Sequence, residues 1–195
     1  MSHQKTITKG HLIDSNNKLY EGFPAFSSFH PEFNPGSRIV DLFPDCFSFN
    51  LASREKNDKK CSQQLDKMTL QLSSSPYMVI IVTDASIKKD IATSISHMYI
   101  CNHPLTKTVH HAVYIMSTEA EIFAIRCGIN QVYSKKNISK IVIITNSIHA
   151  TKKIFDSKSH SYQLHTTAIL QELHWFFAKD QNNSIKFWEC HSRLK

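Results

Sequence analysis

Three polar residues lie at the boundaries of predicted elements. Two of them follow predicted strands, and one lies near the start of a predicted helix. Asp84 follows the apolar run 78–83, Asn146 follows the apolar run 141–145, and Glu121 lies one turn inside the helix between them. Parallel strands of an open sheet end at a common edge, where ligands bind, so we expect the three side chains to converge there. The spacing therefore predicts an acidic ligand site at one edge of a sheet.

The elements that must position this site are predicted from periodicity and turn signals. Both apolar runs are typical of strands buried on two faces, and the helix between them permits the right-handed crossover that makes them parallel neighbours. The expected elements in chain order are strands at 78–83, 90–100 and 106–116, a helix from Ser117 to near Lys135, a strand at 141–145, a short helix N-capped by Ser147, a helix at 162–178 and a strand at 184–190. This order, βββαβααβ, predicts an α/β fold with a mixed five-stranded sheet flanked by helices.

The first 76 residues are predicted to form a loop-rich N-terminal extension or connector. Three of the four glycines and four of the six prolines lie in the first 44 residues, among isolated aromatic side chains. A polar stretch with Lys56, Lys59 and Lys60 follows, and residues 65–72 could form a short helix that docks on the later domain. Because Pro76 favours a boundary before it, we assign residues 1–76 to the extension and 77–195 to the domain.

Composition and charge favour a globular protein with a polyanionic partner. The chain has 41% hydrophobic and 20% charged residues and a net charge of +7, which suits nucleic acid or an acidic protein surface. No apolar stretch approaches the roughly 20 residues of a membrane helix, and no signal-peptide pattern is present, so we expect a cytoplasmic or nuclear location and no membrane partner. The five cysteines form no C-x-x-C pair, and the odd count argues against a disulfide framework.

Three motifs around the candidate site resemble the ribonuclease H domains of retroelement reverse transcriptases. They are Thr83-Asp84-Ala85-Ser86, residues 120–125 (AEIFAI) and Thr145-Asn146-Ser147. Residues 122–131, 154–156 and 187–190 look like the version found in fungal non-LTR retrotransposon polyproteins, and residues 35–41 look like the connector that precedes the domain there. The resemblance covers roughly residues 77–195.

The resemblance implies metal-dependent cleavage of the RNA strand of an RNA/DNA hybrid. Two Mg²⁺ or Mn²⁺ ions would be held between carboxylates, with Asp84 bridging both ions, Glu121 binding one and Asn146 standing where an aspartate is expected. A further acid is expected on a helix beyond the strand of Trp188, and the sequence stops at Lys195, so we expect this C-terminal helix to be missing. Fewer carboxylates concentrate cations less strongly, so we expect impaired cleavage.

Structural explanations compete with this interpretation at each position. Thr118-x-x-Glu121 before an apolar run is the pattern of a capping box, Asp84 could serve only in a turn, and Asn146-Ser147 could be an ordinary helix entry. A catalytically inactive nucleic-acid-binding or structural module on the same fold therefore remains the alternative to a ribonuclease. The expected partners are an RNA/DNA hybrid or other nucleic acid, and a reverse transcriptase domain in a longer polyprotein. Adjacent His110 and His111 would point to opposite faces of a strand rather than chelate one ion, and His191 is a weak candidate for moving protons.

Overall fold

The computed structural model of the chain describes residues 38–50, 75–101, 103–113, 115–133, 135, 137–156 and 160–189. A short helix α1 (Ile39–Leu42) and a 3-10 turn (Pro44–Cys46) come first. They are followed by strands β1 (Phe47–Asn50), β2 (Met78–Lys88), β3 (Ile91–Ile100) and β4 (His103–Val113), helix α2 (Ser117–Tyr133), strand β5 (Lys140–Thr145), helices α3 (Ile148–Ile154) and α4 (Gln163–Lys179), and strand β6 (Ser184–Glu189).

These strands form one mixed sheet in the order β1-β6-β5-β2-β3-β4. β2 runs parallel to β5, β5 parallel to β6 and β6 parallel to β1, whereas β3 and β4 are antiparallel to their neighbours. The parallel pairing of Ile80 with Val142 and of Val82 with Ile144 is the adjacency that the sequence predicts for the two apolar runs. The predicted α/β fold, a mixed sheet flanked by helices, is confirmed.

The sheet has six strands, so the prediction of five strands was wrong. The additional strand β1 lies in the segment predicted to be loop-rich, and it pairs with β6 from Phe47 opposite Ile185 to Asn50 opposite Trp188. The ring of Phe47 packs against Phe177 at a centroid distance of 4.9 Å. Burial of aromatic rings against the helix-bearing face of the sheet thus holds a four-residue strand whose own sequence carries a weak signal. β1 and the later strands belong to one compact unit, residues 36–195.

Element ends differ from the predictions where turns are tighter than expected. β4 begins at His103 rather than at the predicted residue 106, so His103 and Pro104 of the expected turn cluster 101–104 belong to the strand. Lys89 and Asp90 both have positive φ, 50° and 63°, which is the backbone of the two-residue turns that fit the twist of a β-hairpin. β6 ends at Glu189, one residue before the predicted end.

Two apolar clusters lie on the two faces of the sheet. The larger one joins α2, α3 and α4 to the face that carries Ile81 and Phe187, and it also contains Ile39 of α1, which is 3% exposed. The smaller one consists of strand residues on the opposite face and centres on Trp188 and Ile144. α2 approaches the sheet at Gly128, where an added Cβ would lie 2.3 Å from Cγ2 of Ile81. Gly128 therefore sets how closely α2 packs on β2.

Several predictions concern residues outside the described part of the chain. These are the cluster of Lys56, Lys59 and Lys60, the short helix at 65–72, residues 35–37 of the connector motif at 35–41, Cys61, Cys190 and His191. Of the described cysteines, Cys46, Cys101 and Cys127 are free thiols. Within the described residues, no helix combines the length and the hydropathy that a membrane span requires.

Candidate active site

Asp84 and Asn146 lie side by side where the parallel pairing of β2 with β5 ends, although β2 itself continues along β3 to Lys88, beyond its predicted end at residue 83. The paired register of these strands runs to Val82 opposite Ile144, and two residues further along each strand the side-chain amide Nδ2 of Asn146 donates a hydrogen bond of 2.8 Å to Oδ1 of Asp84. Both side chains are exposed to solvent. The predicted convergence of these two residues is therefore present, and the contact between them is direct.

The turn after β5 fixes the position of Asn146. The backbone amide of Ser147 donates a hydrogen bond to Oγ1 of Thr145, and Oγ of Ser147 accepts one from the backbone amide of Ala150 at 3.2 Å. Ser147 is thus the N-cap of α3, as its sequence position predicts. Asn146 is held between a buried strand and a capped helix, with its side chain toward β2.

Glu121 reaches the same edge from the first turns of α2. Its Oε1 accepts a hydrogen bond of 3.2 Å from the backbone amide of Ala85, the residue after Asp84. Oγ of Ser94 donates a bond of 2.8 Å to the carbonyl of Ala120 and so ties the start of α2 to β3. Because α2 begins at Ser117, Thr118 lies inside the helix and does not occupy the position that precedes it, which a capping box requires. The structure therefore brings Asp84, Glu121 and Asn146 together.

The carboxyl group of Glu121 is buried beside a second carboxyl group. Glu121 is 4% exposed, and its Oε2 is buried without a hydrogen-bond partner. Burial raises the pKa of Glu121 from 4.5 to about 7, and the negative charge of Asp84 is the second cause of this increase. The hydrogen bond from the backbone amide of Ala85 acts in the opposite direction. Near neutral pH this group is thus poised between its neutral and charged forms, which is a common property of acids in active sites.

The donor atoms at this edge suit a hard divalent cation. Asp84 offers an exposed carboxylate and Glu121 an oxygen without a partner, and hard cations prefer such ligands. A nearby dication would also favour the charged form of Glu121. Asn146 presents an N–H group toward Asp84, so it supplies neither a negative charge nor an oxygen at that point. Among the described residues, no group of three or more histidine, cysteine, aspartate or glutamate side chains could hold a metal ion. Asp84 and Glu121 are the two acids that would hold one here.

Glu189 is another acid at the same edge of the sheet, and the sequence did not predict it as a site residue. Glu189 is the last residue of β6, lies opposite Thr145 of β5 and is 2% exposed. Strand alternation places it on the face of Ile185 and Phe187, which carries the helices, whereas Asp84 follows Ile80 and Val82 on the other face. Its signal in the sequence is an acid one residue before the end of a predicted strand.

His110, His111 and His165 make their contacts with residues other than Asp84 and Glu121. His110 packs its ring 4.4 Å from that of Phe123, and the Nδ1 atom of His111 on the opposite face shares a hydrogen bond of 3.0 Å with Oγ1 of Thr93. His165 accepts a bond of 3.0 Å from the buried Arg126, and burial, then the charges of Arg126 and His110, lower its pKa to about 4. His165 is therefore neutral over the physiological range.

The aromatic run in α4 divides between core and surface. Phe176 and Phe177 are buried, at 7% and 0% exposure, as expected for core residues, but Trp175 is 36% exposed. On the same helix, Glu172 is 9% exposed, and burial raises its pKa to about 8 although the neighbouring Arg126 acts in the opposite direction. A second neutral carboxyl group thus lies between α2 and α4.

Comparison with known proteins finds resemblance in structure only. No protein-family model matches the chain, and no curated protein matches it. Among solved structures, the ribonuclease H1 of the archaeon Halobacterium salinarum is similar with a TM-score of 0.44 and 8% identity, over 57% of this chain and 84% of that one. LC11-RNase H1, solved in complex with an RNA/DNA hybrid, is similar with a TM-score of 0.44 and 12% identity, over 57% and 83%. The protease–reverse transcriptase of prototype foamy virus gives a TM-score of 0.44 and 13% identity, over 58% of this chain and 18% of that protein.

Proposed function

We propose that the chain is a nucleic-acid-binding domain of the ribonuclease H type in which hydrolysis of RNA in RNA/DNA hybrids is impaired at Asn146. The observation that carries this proposal is the hydrogen bond of 2.8 Å from the amide of Asn146 to Asp84. An aspartate at position 146 would repel Asp84 unless a cation lay between them, whereas the amide neutralises part of that charge by itself. The net charge of +7 supports a polyanionic partner.

Asp84 and Glu121 are the proposed catalytic and metal-binding residues, with Asn146 at the third position. When bound, Mg²⁺ or Mn²⁺ lowers the pKa of an attacking water and stabilises the charge that develops on the leaving oxygen. Glu121 is held rigidly by Ala85 at one oxygen and keeps its other oxygen free, so it is positioned to bind or to exchange a proton. Two carboxylates can hold one cation more readily than they can hold two cations. We therefore expect weak hydrolysis rather than full activity.

The origin, partners and location of the domain belong to the same proposal. The motifs around Asp84, Glu121 and Asn146 support descent from a retrotransposon polyprotein of the fungal non-LTR type, with a reverse transcriptase domain as a possible neighbour in a longer chain. An RNA/DNA hybrid is the proposed ligand, in the cytoplasm or nucleus.

A catalytically inactive binding module is the second candidate, and the same hydrogen bond favours it. If the amide of Asn146 satisfies Asp84 permanently, the edge of the sheet is a polar surface that binds nucleic acid without cutting it. The two candidates share the ligand and differ only in the chemistry at the acids.

A cleavage and binding experiment on four proteins tests the proposal. The parent chain, Asn146→Asp, Asp84→Asn and the double variant are incubated with a labelled RNA/DNA hybrid and Mg²⁺ or Mn²⁺, and binding is measured separately in Ca²⁺. We expect weak or no cleavage by the parent, a gain of at least about tenfold in Asn146→Asp, and none in either protein that carries Asp84→Asn.

Each pattern of results has a distinct meaning. Hybrid binding by all four proteins with cleavage by none favours the inactive module. Equal cleavage by the parent and Asn146→Asp contradicts the assigned impairment. Absence of hybrid binding in all four proteins removes the nucleic-acid proposal altogether.

A further inference from the structure

The two outer strands of the sheet differ in how well they are protected against pairing. β1 has four residues, whereas β4 has eleven, from His103 to Val113, and within the part of the chain that the structure describes it pairs with β3 alone. Proteins normally shorten, bend or charge an edge strand because its free backbone groups can pair with another strand. In β4 such features stand near the beginning of the strand: Pro104, a β-bulge at Leu105 and Lys107.

One face of β4 is anchored to helix α2. The hydroxyls of Thr106 and Thr108 both form hydrogen bonds with the side-chain amide of Gln131, and the ring of His110 packs on Phe123. An edge strand that is already fixed loses little conformational freedom when another strand pairs with it. β4 is therefore preorganised as a template.

The opposite face of β4 carries a regular chemical pattern. Leu105, Val109 and Val113 are apolar and exposed, at 43%, 44% and 49%. Lys107 and His111 alternate with Val109 and Val113 on the same face, Leu105 stands at the β-bulge before them, and residues 103–113 contain no aspartate or glutamate. From Lys107 onward the pattern along this face is basic, apolar, imidazole, apolar.

A second copy of the chain fits this pattern only in part. Antiparallel pairing of two β4 strands about Val109 would place apolar side chains opposite one another, but it would also place Lys107 of each copy opposite His111 of the other. Such a pair offers no opposite charge. A strand with carboxylates at these two positions would pair with both, and exposed apolar side chains on this face suit a peptide better than a phosphate backbone.

We propose that the free edge of β4 binds an extended acidic peptide of a partner protein, antiparallel to β4, whose side chains on one face alternate between apolar and carboxylate. The backbone bonds would supply general affinity, and Lys107, His111 and the three apolar residues would supply selectivity. This proposal does not rest on the function proposed for Asp84 and Glu121, although Val109 lies on the same face of the sheet as Asp84, two strands away.

A designed peptide tests this proposal, together with variants in which acidic and basic residues are exchanged between the peptide and the protein. The probe is fluorescein-labelled Val-Thr-Glu-Thr-Val-Thr-Glu-Thr-Val, and the reversed probe has Lys in place of both Glu residues. Anisotropy is measured with the parent chain, Lys107→Glu, Val109→Glu and, as a matched control on another surface, Lys140→Glu. Circular dichroism verifies that each variant is folded.

We expect the acidic probe to bind the parent and Lys140→Glu equally. Binding to Lys107→Glu and Val109→Glu should weaken about fivefold or more, because an opposite charge becomes a like charge or a carboxylate enters the apolar row, and the reversed probe should bind Lys107→Glu better than the parent does.

Three results would overturn the proposal. The first is no binding of the acidic probe at concentrations up to about 1 mM, a limit that corresponds to a binding free energy near 4 kcal/mol. The second is a concentration-dependent dimer in sedimentation that Val109→Glu abolishes, since the edge would then belong to a second copy. The third is displacement of the probe by an RNA/DNA duplex together with weakened duplex binding in Lys107→Glu, which would assign the surface to nucleic acid.

Discussion

Asn146 donates a hydrogen bond to Asp84 over 2.8 Å, from the residue that follows β5 to a residue within the neighbouring parallel strand β2. The pair is stable without any further ligand, because a partial positive charge on the amide faces the carboxylate. Two aspartates in these positions would need a cation or a proton between them. The identity of residue 146 therefore determines whether the folded site depends on a metal ion.

Replacement of Asn146 by aspartate should make the stability of the protein depend on divalent cations. In a chelator we expect Asn146→Asp to lose about 0.5–1 kcal/mol of unfolding free energy at pH 7, a modest value because both side chains are exposed to solvent. Mn²⁺ should then raise its melting temperature more than that of the parent, since a ligand that binds the folded state stabilises it. Thermal unfolding with and without Mn²⁺ measures this. Asn130→Asp on the exposed side of α2 is the control, and equal Mn²⁺ shifts in both variants would contradict the prediction.

The pKa of Glu121 should be raised, and it should change when Asp84 is replaced. Its pKa is raised from 4.5 to about 7, so its contribution to stability is complete below about pH 4.5 and is lost as the pH rises through 7. Asp84→Asn should lower this pKa, because it removes the second cause of the shift, and Glu121→Gln should abolish the corresponding slope of stability with pH. Carbon-13 NMR of the glutamate carboxyl groups measures the titration directly. A pKa of Glu121 below about 5 in the parent would refute the assignment.

Glu172 should produce a separate loss of stability at higher pH. Burial raises its pKa from 4.5 to about 8, so the folded state holds a proton that the unfolded chain releases between these values. The free energy of unfolding should therefore fall as the pH rises from about 4.5 to 8, by up to about 1.4 kcal/mol per pH unit for one such group. In Glu172→Gln this fall should be smaller, while Glu119→Gln on the surface of α2 should follow the parent. Urea unfolding at a series of pH values tests the difference.

Gly128 should be the least replaceable residue of α2. Alanine favours a helix by about 1 kcal/mol over glycine, but a Cβ at this position would lie 2.3 Å from Cγ2 of Ile81 and 2.7 Å from Oγ of Ser96. Since overpacking costs roughly 1–3 kcal/mol, we expect the steric term to prevail and Gly128→Ala to be destabilising. Ile81→Ala should destabilise by about 2–5 kcal/mol alone, and the double variant by less than the sum, because the removed Cγ2 makes room. Strict additivity in chemical unfolding would contradict this contact.

The central part of the fold was predictable because its residues encode it locally. The apolar runs that became β2 and β5 are each followed by a polar residue, so the sequence alone predicts that Asp84 and Asn146 meet at one edge. The position of Ser147 likewise predicts the cap of α3. The first turns of α2 carry Glu121 toward the same edge. Each of these signals comes from a short stretch of sequence, and all of them are consistent with the same fold.

Other features depended on partners that are distant in the chain. β1 is a strand because Phe47 finds Phe177 and the backbone of β6, and no signal within residues 47–50 reveals those partners. The direct hydrogen bond between Asn146 and Asp84, the orphaned oxygen of Glu121 and the burial of Glu189 follow from side-chain packing. Periodicity carries no information on such details.

The pairing of β1 with β6 also dictates an order of events during synthesis. Cys46, just before β1, donates a hydrogen bond to the carbonyl of Gln181, which lies 135 positions further along the chain. β1 is made early, yet its strand partner emerges from the ribosome only after every other described strand has been translated. Until β6 has been made, Phe47 and Phe49 lack the strand that they join in the folded protein. We therefore expect the pairing of β1 with β6, which closes a very long loop of the chain, to be a late step of folding.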